Sequence, residues 1–186
     1  MPGCATGEEV YSIGILLSEL SSKHGGRPFK IFATDVHHGS LEVATRGSYE
    51  EDALTNVRAE LLDRYFLRRG RSFEVRPDLR QAVVFAHHNV MKDAPFTRVD
   101  LVSCRNMLIY FQPAAQQKVL SLFHFALNSG GVVFLGPSES PGNLLHDFET
   151  VDSKWRIYRK YSDRRMQVDT RVRLPAKASS SSTRTA

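Results

Sequence analysis

Apolar positions along this chain switch repeatedly between a helical and an extended period. Val10, Ile13, Leu16, Leu17 and Leu20 recur at helical spacing and predict a helix over 8–22, stopped by Gly25 and Gly26. Residues 29–34 predict a short strand that ends at Asp35. A helix over 40–46, closed by Gly47, comes next. Leu61, Leu62, Tyr65 and Phe66 predict another over 56–67. Two short strand-like runs, 72–76 and 82–86, flank Pro77 and Asp78. Residues 99–103 predict a strand buried on at least one face, and Pro113 suits the first turn of a helix reaching Leu127. Gly130 and Gly131 break that helix before a strand over 132–135. A hairpin of 148–151 and 155–159, turning at Asp152 and Ser153, closes the series.

Strands alternating with helices predict an α/β sheet with crossover helices. The 186 residues suffice for one domain with a sizeable core. With 41% apolar and 24% charged residues, the composition is that of an ordinary globular protein. No apolar run reaches the length of a bilayer span, and the opening Met1-Pro2-Gly3-Cys4 has no signal-peptide pattern. Cys4 and Cys104 are too few for a disulfide framework and form no CxxC pair, which predicts free thiols in a reducing cytoplasm. The net charge of +5 raises nucleic acid as a partner, but its location argues against one. Residues 161–186 carry six basic and two acidic side chains, whereas 1–160 is nearly balanced. The expected organisation is a domain over 1–160 followed by a basic Ser/Thr-rich disordered tail or linker over 161–186.

Candidate chemistry gathers where predicted strands end. The stretch Gly3-Cys-Ala-Thr-Gly-Glu-Glu9 has the small residues that let a ligand approach main-chain N–H groups, although a plain turn before a helix is equally consistent with it. Glu8 and Glu9 also suit a helix start through the macrodipole. Asp35, 28 residues after Gly7, stands where a carboxylate accepts hydrogen bonds from ribose hydroxyls; the alternative is a strand-end turn residue. Asn89 follows the 82–86 run with an amide that both donates and accepts, which suits an adenine edge or a turn. The stretch Ser103-Cys-Arg-Asn-Met-Leu-Ile-Tyr-Phe111 packs polar groups between apolar ones after a buried strand, and a buried Arg-Asn pair needs partners. His37-His38 and His87-His88 do not predict a metal site, because adjacent residues on extended chain point to opposite faces.

Taken together, residues 3–12, Ala33-Thr-Asp35 with Leu41, Glu42 and Ala44, Gly47-Ser-Tyr49, 104–111 and Leu135-Gly-Pro-Ser-Glu139 resemble CheR-type chemotaxis-receptor methyltransferases in order and spacing. The resemblance covers about 3–160. It implies a doubly wound, Rossmann-like class I methyltransferase sheet with a terminal antiparallel hairpin and a small β-subdomain at about 70–88. It implies S-adenosyl-L-methionine as cofactor and glutamates of chemoreceptor cytoplasmic helices as the protein substrate. Family cofactor contacts map onto Glu9, Asp35, Asn89, Val90 (where the family usually has Leu), Arg105 and Asn106. Tyr110 matches the family tyrosine near the reacting methyl. The ending 151–159 resembles versions fused to CheB, PAS or histidine-kinase modules. The family's first strand and N-terminal helical subdomain are expected to be missing here, so a non-catalytic cofactor- or partner-binding module of a sensor fusion stands as the alternative. Another Rossmann-like enzyme is a third reading; the lack of GxGxxG disfavours an oxidoreductase, and 104–111 disfavours a small-molecule methyltransferase. The short Arg68–Phe73 loop resembles members that do not tether a receptor tail.

Overall fold

A computed structural model describes residues 1–161; the expected tail lies, past Tyr161, outside the described residues. The α/β alternation is present. Helix α1 (Glu8–Lys23) leads to β1 (Ile31–Asp35), α2 (His38–Arg46) and β2 (Ser48–Glu50). Then come α3 (Ala59–Tyr65), β3 (Phe66–Arg69), β4 (Ser72–Val75), α4 (Pro77–Gln81) and β5 (Val83–His87). The chain continues through β6 (Val99–Cys104), α5 (Pro113–Ala126), β7 (Leu127–Leu135), β8 (Phe148–Asp152) and β9 (Ile157–Lys160).

Strands β1 and β5 pair in parallel, as do β6 and β7. Antiparallel β9 joins β7, and β8 joins β9, giving the order β6-β7-β9-β8 with the terminal hairpin at its edge. Between β1 and β6 no ladder is present among the described residues. Only the chain start enters that interval: Pro2 bridges Thr34 in parallel, Thr34 N donates to Met1 O, and Cys4 N donates to Thr34 O.

Four sequence expectations need correction. The small antiparallel sheet consists of β2, β4 and β3, whereas Val83–His87, placed by the sequence in the 70–88 subdomain, pairs with β1 instead. An apolar run of this length fits either sheet, and tertiary pairing decides. Helix α3 stops at Tyr65, because Phe66 and Leu67 extend to pair with Val75 and Glu74. Strand β7 runs through the glycine pair from Leu127, with Gly130 at φ +78° and the register against β6 shifting there. The buried face of α1 is Val10, Tyr11, Gly14 and Ile15, while Leu16 and Leu20 are exposed. Gly14 sets that face: a Cβ there would stand 3.0 Å from Leu79 Cδ1, so α1 lies close on α4.

Two apolar cores flank the interval between β1 and β6. One gathers Val10, Ile31, Ala33, Phe66 and Val75; the other gathers Val102, Val119, Phe123, Val133 and Leu135. Leu135 is 1% exposed and Leu20 53% exposed. Leu135→Ala should therefore lower unfolding free energy by about 2–5 kcal/mol. Leu20→Ala should change it by no more than about 0.5 kcal/mol, both read from urea titrations.

The Met1 ammonium donates to Phe32 O at 2.7 Å. Burial pushes its pKa down from about 8 to about 6. Between those values the unfolded chain binds the proton more readily than the folded one, so stability should rise from about pH 6 to 8. Acetylating the amine should flatten that slope in denaturation series.

Candidate functional site

The carboxyl ends of β1 and β6 converge on the loop before α1. Gly3 and Gly7 take left-handed φ values of +66° and +93°. Side chains would fail at both: a Cβ on Gly3 would meet Met107 Sδ at 2.9 Å, and one on Gly7 would meet Ala44 Cβ at 2.9 Å. Tyr49 fastens the loop from the small sheet, donating its hydroxyl to Thr6 O at 2.8 Å. Burial pushes that phenol's pKa well up, so it stays a donor.

Asp35 serves as an anchor at the end of β1. Its Oδ2 accepts from Ala5 N at 2.9 Å and its Oδ1 from His37 N at 3.0 Å. An ionised carboxylate has roughly four acceptor sites, so capacity for a ligand's hydroxyls remains. Glu9, in the first turn of α1, accepts from Ser103 Oγ at 2.6 Å and pairs with Arg105 Nη1 at 3.2 Å. The Arg105 guanidinium lies 4.8 Å from the Phe134 ring centroid, and its buried Nε has no hydrogen-bond partner among the described residues. Glu9, Ser103, Arg105 and Asn106 line one hollow of about 280 Å³ with the 1–5 loop.

Four of the sequence-predicted residues thus meet: Glu9, Arg105 and Asn106 in the hollow, and Asp35 at its rim through Ala5. Asn89 and Val90 do not line the hollow; they lie in the turn after β5, which is joined to β1 by His88 N donating to Asp35 O. Asn89 Oδ1 accepts from Met91 N at 3.0 Å, so the side chain shapes its own turn. Val90 packs against the second core. Tyr110 does not line the hollow; it is 81% exposed on the turn that follows. The two thiols are buried, and burial raises their pKa values (Cys4 to about 11), which leaves them protonated. His38 stacks on His87 with centroids 4.5 Å apart, while His37 accepts from Ser40 N at the start of α2.

Two residues carry roles that sequence reasoning left unassigned. Ser103 holds Glu9. Glu139, 5% exposed, accepts four main-chain N–H groups: Asn106 at 3.1 Å, Met107 at 2.9 Å, Leu108 at 2.7 Å and Gly136 at 2.7 Å. A carboxylate is the side chain with enough acceptor sites for this cluster. Gly136 is needed beside it, since a Cβ there would come within 2.7 Å of Glu139 Oε2. The sequence signals were a glutamate three residues past a glycine at a strand end and its place in the 135–139 motif, neither of which gives it this role.

S-adenosylmethionine carries ribose hydroxyls, an adenine and a charged amino-acid end. The residues fit such a group: a carboxylate with spare acceptor sites at Asp35, the unpartnered Arg105 Nε, and a glycine-lined loop that admits main-chain approach.

Comparison with known proteins agrees. A family model described as CheR methyltransferase, SAM binding domain, matches residues 2–157. An uncharacterized 104.1 kDa protein of Rhodobacter capsulatus, from the hypE 3' region, is 43% identical over 157 residues, covering 84% of this chain and 16% of its own length. Chemotaxis protein methyltransferase 2 of Vibrio cholerae is 36% identical over 149 residues, covering 78% and 52% respectively. The chemotaxis protein methyltransferase of Escherichia coli is 36% identical over 153 residues, covering 77% and 52%. This chain therefore spans about half the length of the two methyltransferases.

Glu139→Gln should unpair part of the amide cluster at about 1–3 kcal/mol per donor left without a partner. Expected are a stability loss of at least about 1 kcal/mol in urea and faster hydrogen exchange at the Asn106, Met107 and Leu108 amides.

Proposed function

The chain belongs to the CheR methyltransferase family, as its S-adenosylmethionine-binding domain, and from that premise we propose that it serves methyl transfer to glutamate side chains of chemoreceptor proteins. The observation that carries the proposal is the meeting of Glu9, Arg105 and Asn106 in one hollow, with Asp35 tied to its rim. When bound, the cofactor supplies an electrophilic methyl group on its sulfonium.

Each residue has work suited to its chemistry. Asp35 accepts from the ribose hydroxyls while holding the loop through Ala5 and His37. Glu9 and Arg105, already paired, would hold the charged amino-acid end, with Arg105 Nε still to be satisfied. Asn89 and Val90, in the turn after β5, would border the adenine. Asn106, held by Glu139 through its main chain in a left-handed conformation, lines the hollow. Tyr110, exposed on the next turn, orients the incoming carboxylate near the reacting methyl.

A substrate glutamate is ionised at neutral pH, since its ordinary pKa is about 4.3. It needs no base to become a nucleophile, so the residues contribute by holding it in line. The protonated thiols of Cys4 and Cys104 take no part. We place the reaction in the cytoplasm, where receptor signalling helices lie. Among the described residues no helix is long and apolar enough to cross a membrane.

A place inside a larger protein is supported by the 104.1 kDa relative, of which the matching stretch is 16%; that its neighbours there are CheB, PAS or histidine-kinase modules is part of the proposal. In that setting the domain could bind cofactor or partner without transferring methyl groups. A methyl-transfer assay on receptor fragments separates the two: labelled methyl ester supports the enzyme, and cofactor binding without transfer supports the module.

Calorimetric titration with S-adenosylhomocysteine tests the site. Asp35→Ala should weaken binding about tenfold to a hundredfold, as expected for losing hydrogen bonds to a charged group. Circular dichroism must show that the variant remains folded; unchanged affinity would remove Asp35 from the site.

A further inference from the structure

Strand β9 lies against β7 with Ile157 opposite Phe134, and Leu135 N donates to Arg156 O. The tip of the terminal hairpin, residues 152–156, therefore stands at the carboxyl end of β7. Strand β6 runs parallel to β7 with Cys104 beside Leu135, so the tip shares the sheet edge on which Ser103 and Arg105 line the hollow. Phe134, the partner of Ile157, is also the ring that the Arg105 guanidinium approaches.

The tip is held in place. Asp152 Oδ1 accepts from Trp155 N at 2.9 Å, and Arg156 Nε donates to Pro137 O at 3.2 Å. Arg156 takes a left-handed φ of +56°, a costly conformation for a side-chain-bearing residue, and these contacts fix it there. Pro137 stands two residues before Glu139, whose carboxylate holds the amides of Asn106, Met107 and Leu108. Tyr110 follows two residues after Leu108, its N–H donating to Met107 O. The hairpin tip and the Tyr110 turn thus hang from one short segment, 136–139, beside the Asn106 wall of the hollow.

That frame presents apolar and cationic groups to solvent. Trp155, the single tryptophan of the chain, is 57% exposed, and Ile109 and Tyr110 are exposed on the neighbouring turn. Lys154 Nζ lies 5.4 Å from the Trp155 ring centroid. A tryptophan on a fixed backbone offers a large contact area for few frozen torsions, which is why such residues anchor interfaces. We propose that Lys154-Trp155-Arg156, with Ile109, is a docking edge for the methyl-accepting protein, and that its occupant is an acidic helical segment flanking the acceptor glutamate. The identity of that partner rests on the methyl-transfer reading. Trp155 covers apolar positions of the segment, and the positive charges of Lys154 and Arg156 meet its carboxylates. Because Trp155 and Tyr110 share one support, contact at the tip sets where the acceptor carboxylate arrives. Placement is what an already ionised nucleophile needs.

The test uses the 186-residue chain and a chemoreceptor cytoplasmic fragment that carries its acceptor glutamates. With one tryptophan present, intrinsic fluorescence reports on Trp155 alone. Saturable binding with a shift of its emission to shorter wavelength is the expected result. By anisotropy of the dye-labelled fragment, Trp155→Ala should weaken binding about tenfold, with Trp155→Phe recovering most of the loss. Lys154→Gln should weaken it about twofold to fivefold in low salt and lose that effect in high salt. Affinity for S-adenosylhomocysteine should not change in any of the three. Failure of the fragment to bind, binding that leaves Trp155 emission unmoved, or an unaltered fragment affinity in Trp155→Ala overturns the proposal. So does an emission shift that follows chain concentration alone, because a second copy would then cover the tip. Methyl ester formed with an unaltered KM in Trp155→Ala removes the docking edge and keeps the methyl-transfer reading. Binding that depends on Trp155 without ester formation keeps the docking edge and removes that reading.

Discussion

Four main-chain N–H groups point at one buried carboxylate, and the ligand-facing edge of the sheet hangs on that arrangement. Glu139 reaches back from the end of β7 to the amides of residues 106–108, which follow β6. Without an acceptor there, the chain after Cys104 would bury several unpaired donors, each costly in an apolar setting. With it, Asn106 holds its left-handed conformation and Arg105 is turned back toward Glu9. The same carboxylate therefore links the second core to the loop that opens α1.

The opposite wall is organised by a second carboxylate doing similar work. Asp35 holds Ala5 and His37 by their main chain, and Tyr49 holds Thr6 from the small sheet. Two acidic side chains at two strand ends thus position a glycine loop whose residues contribute little of their own. Such sites lie outside the carboxyl ends of parallel strands because helices and strands leave main-chain groups and space there. For the methyl transfer proposed above, the chemistry asked of the site is modest. A nucleophile that is already ionised requires placement more than activation.

Continuity between the two walls is limited to the first few residues and the hydrogen bonds across the hollow. The cores on either side of β1 and β6 are each well packed, with Val10, Val75, Val119 and Cys104 fully buried. The groove between them keeps the side chains of Phe32, Phe96 and Leu101 more than a third exposed.

Much of this was legible in the sequence. The order of helices and strands, the terminal hairpin and the family motifs are local patterns, because periodicity and strand-end residues depend on neighbours in the chain. Glu9, Asp35, Arg105 and Asn106 could be picked out for that reason, and the fold brings them together. Other features could not be read locally. Whether 83–87 joined the small antiparallel sheet or paired with β1 depended on which edge was free to pair. Leu16 and Leu20 match the helical period of α1, yet the buried face was chosen by the close approach that Gly14 permits. Glu139 and Ser103 show nothing of these roles locally, and their partners, Gly136 apart, lie 31 to 94 positions away. Only the folded chain could place a lone carboxylate against four N–H groups, since a long-range hydrogen bond leaves no periodic trace.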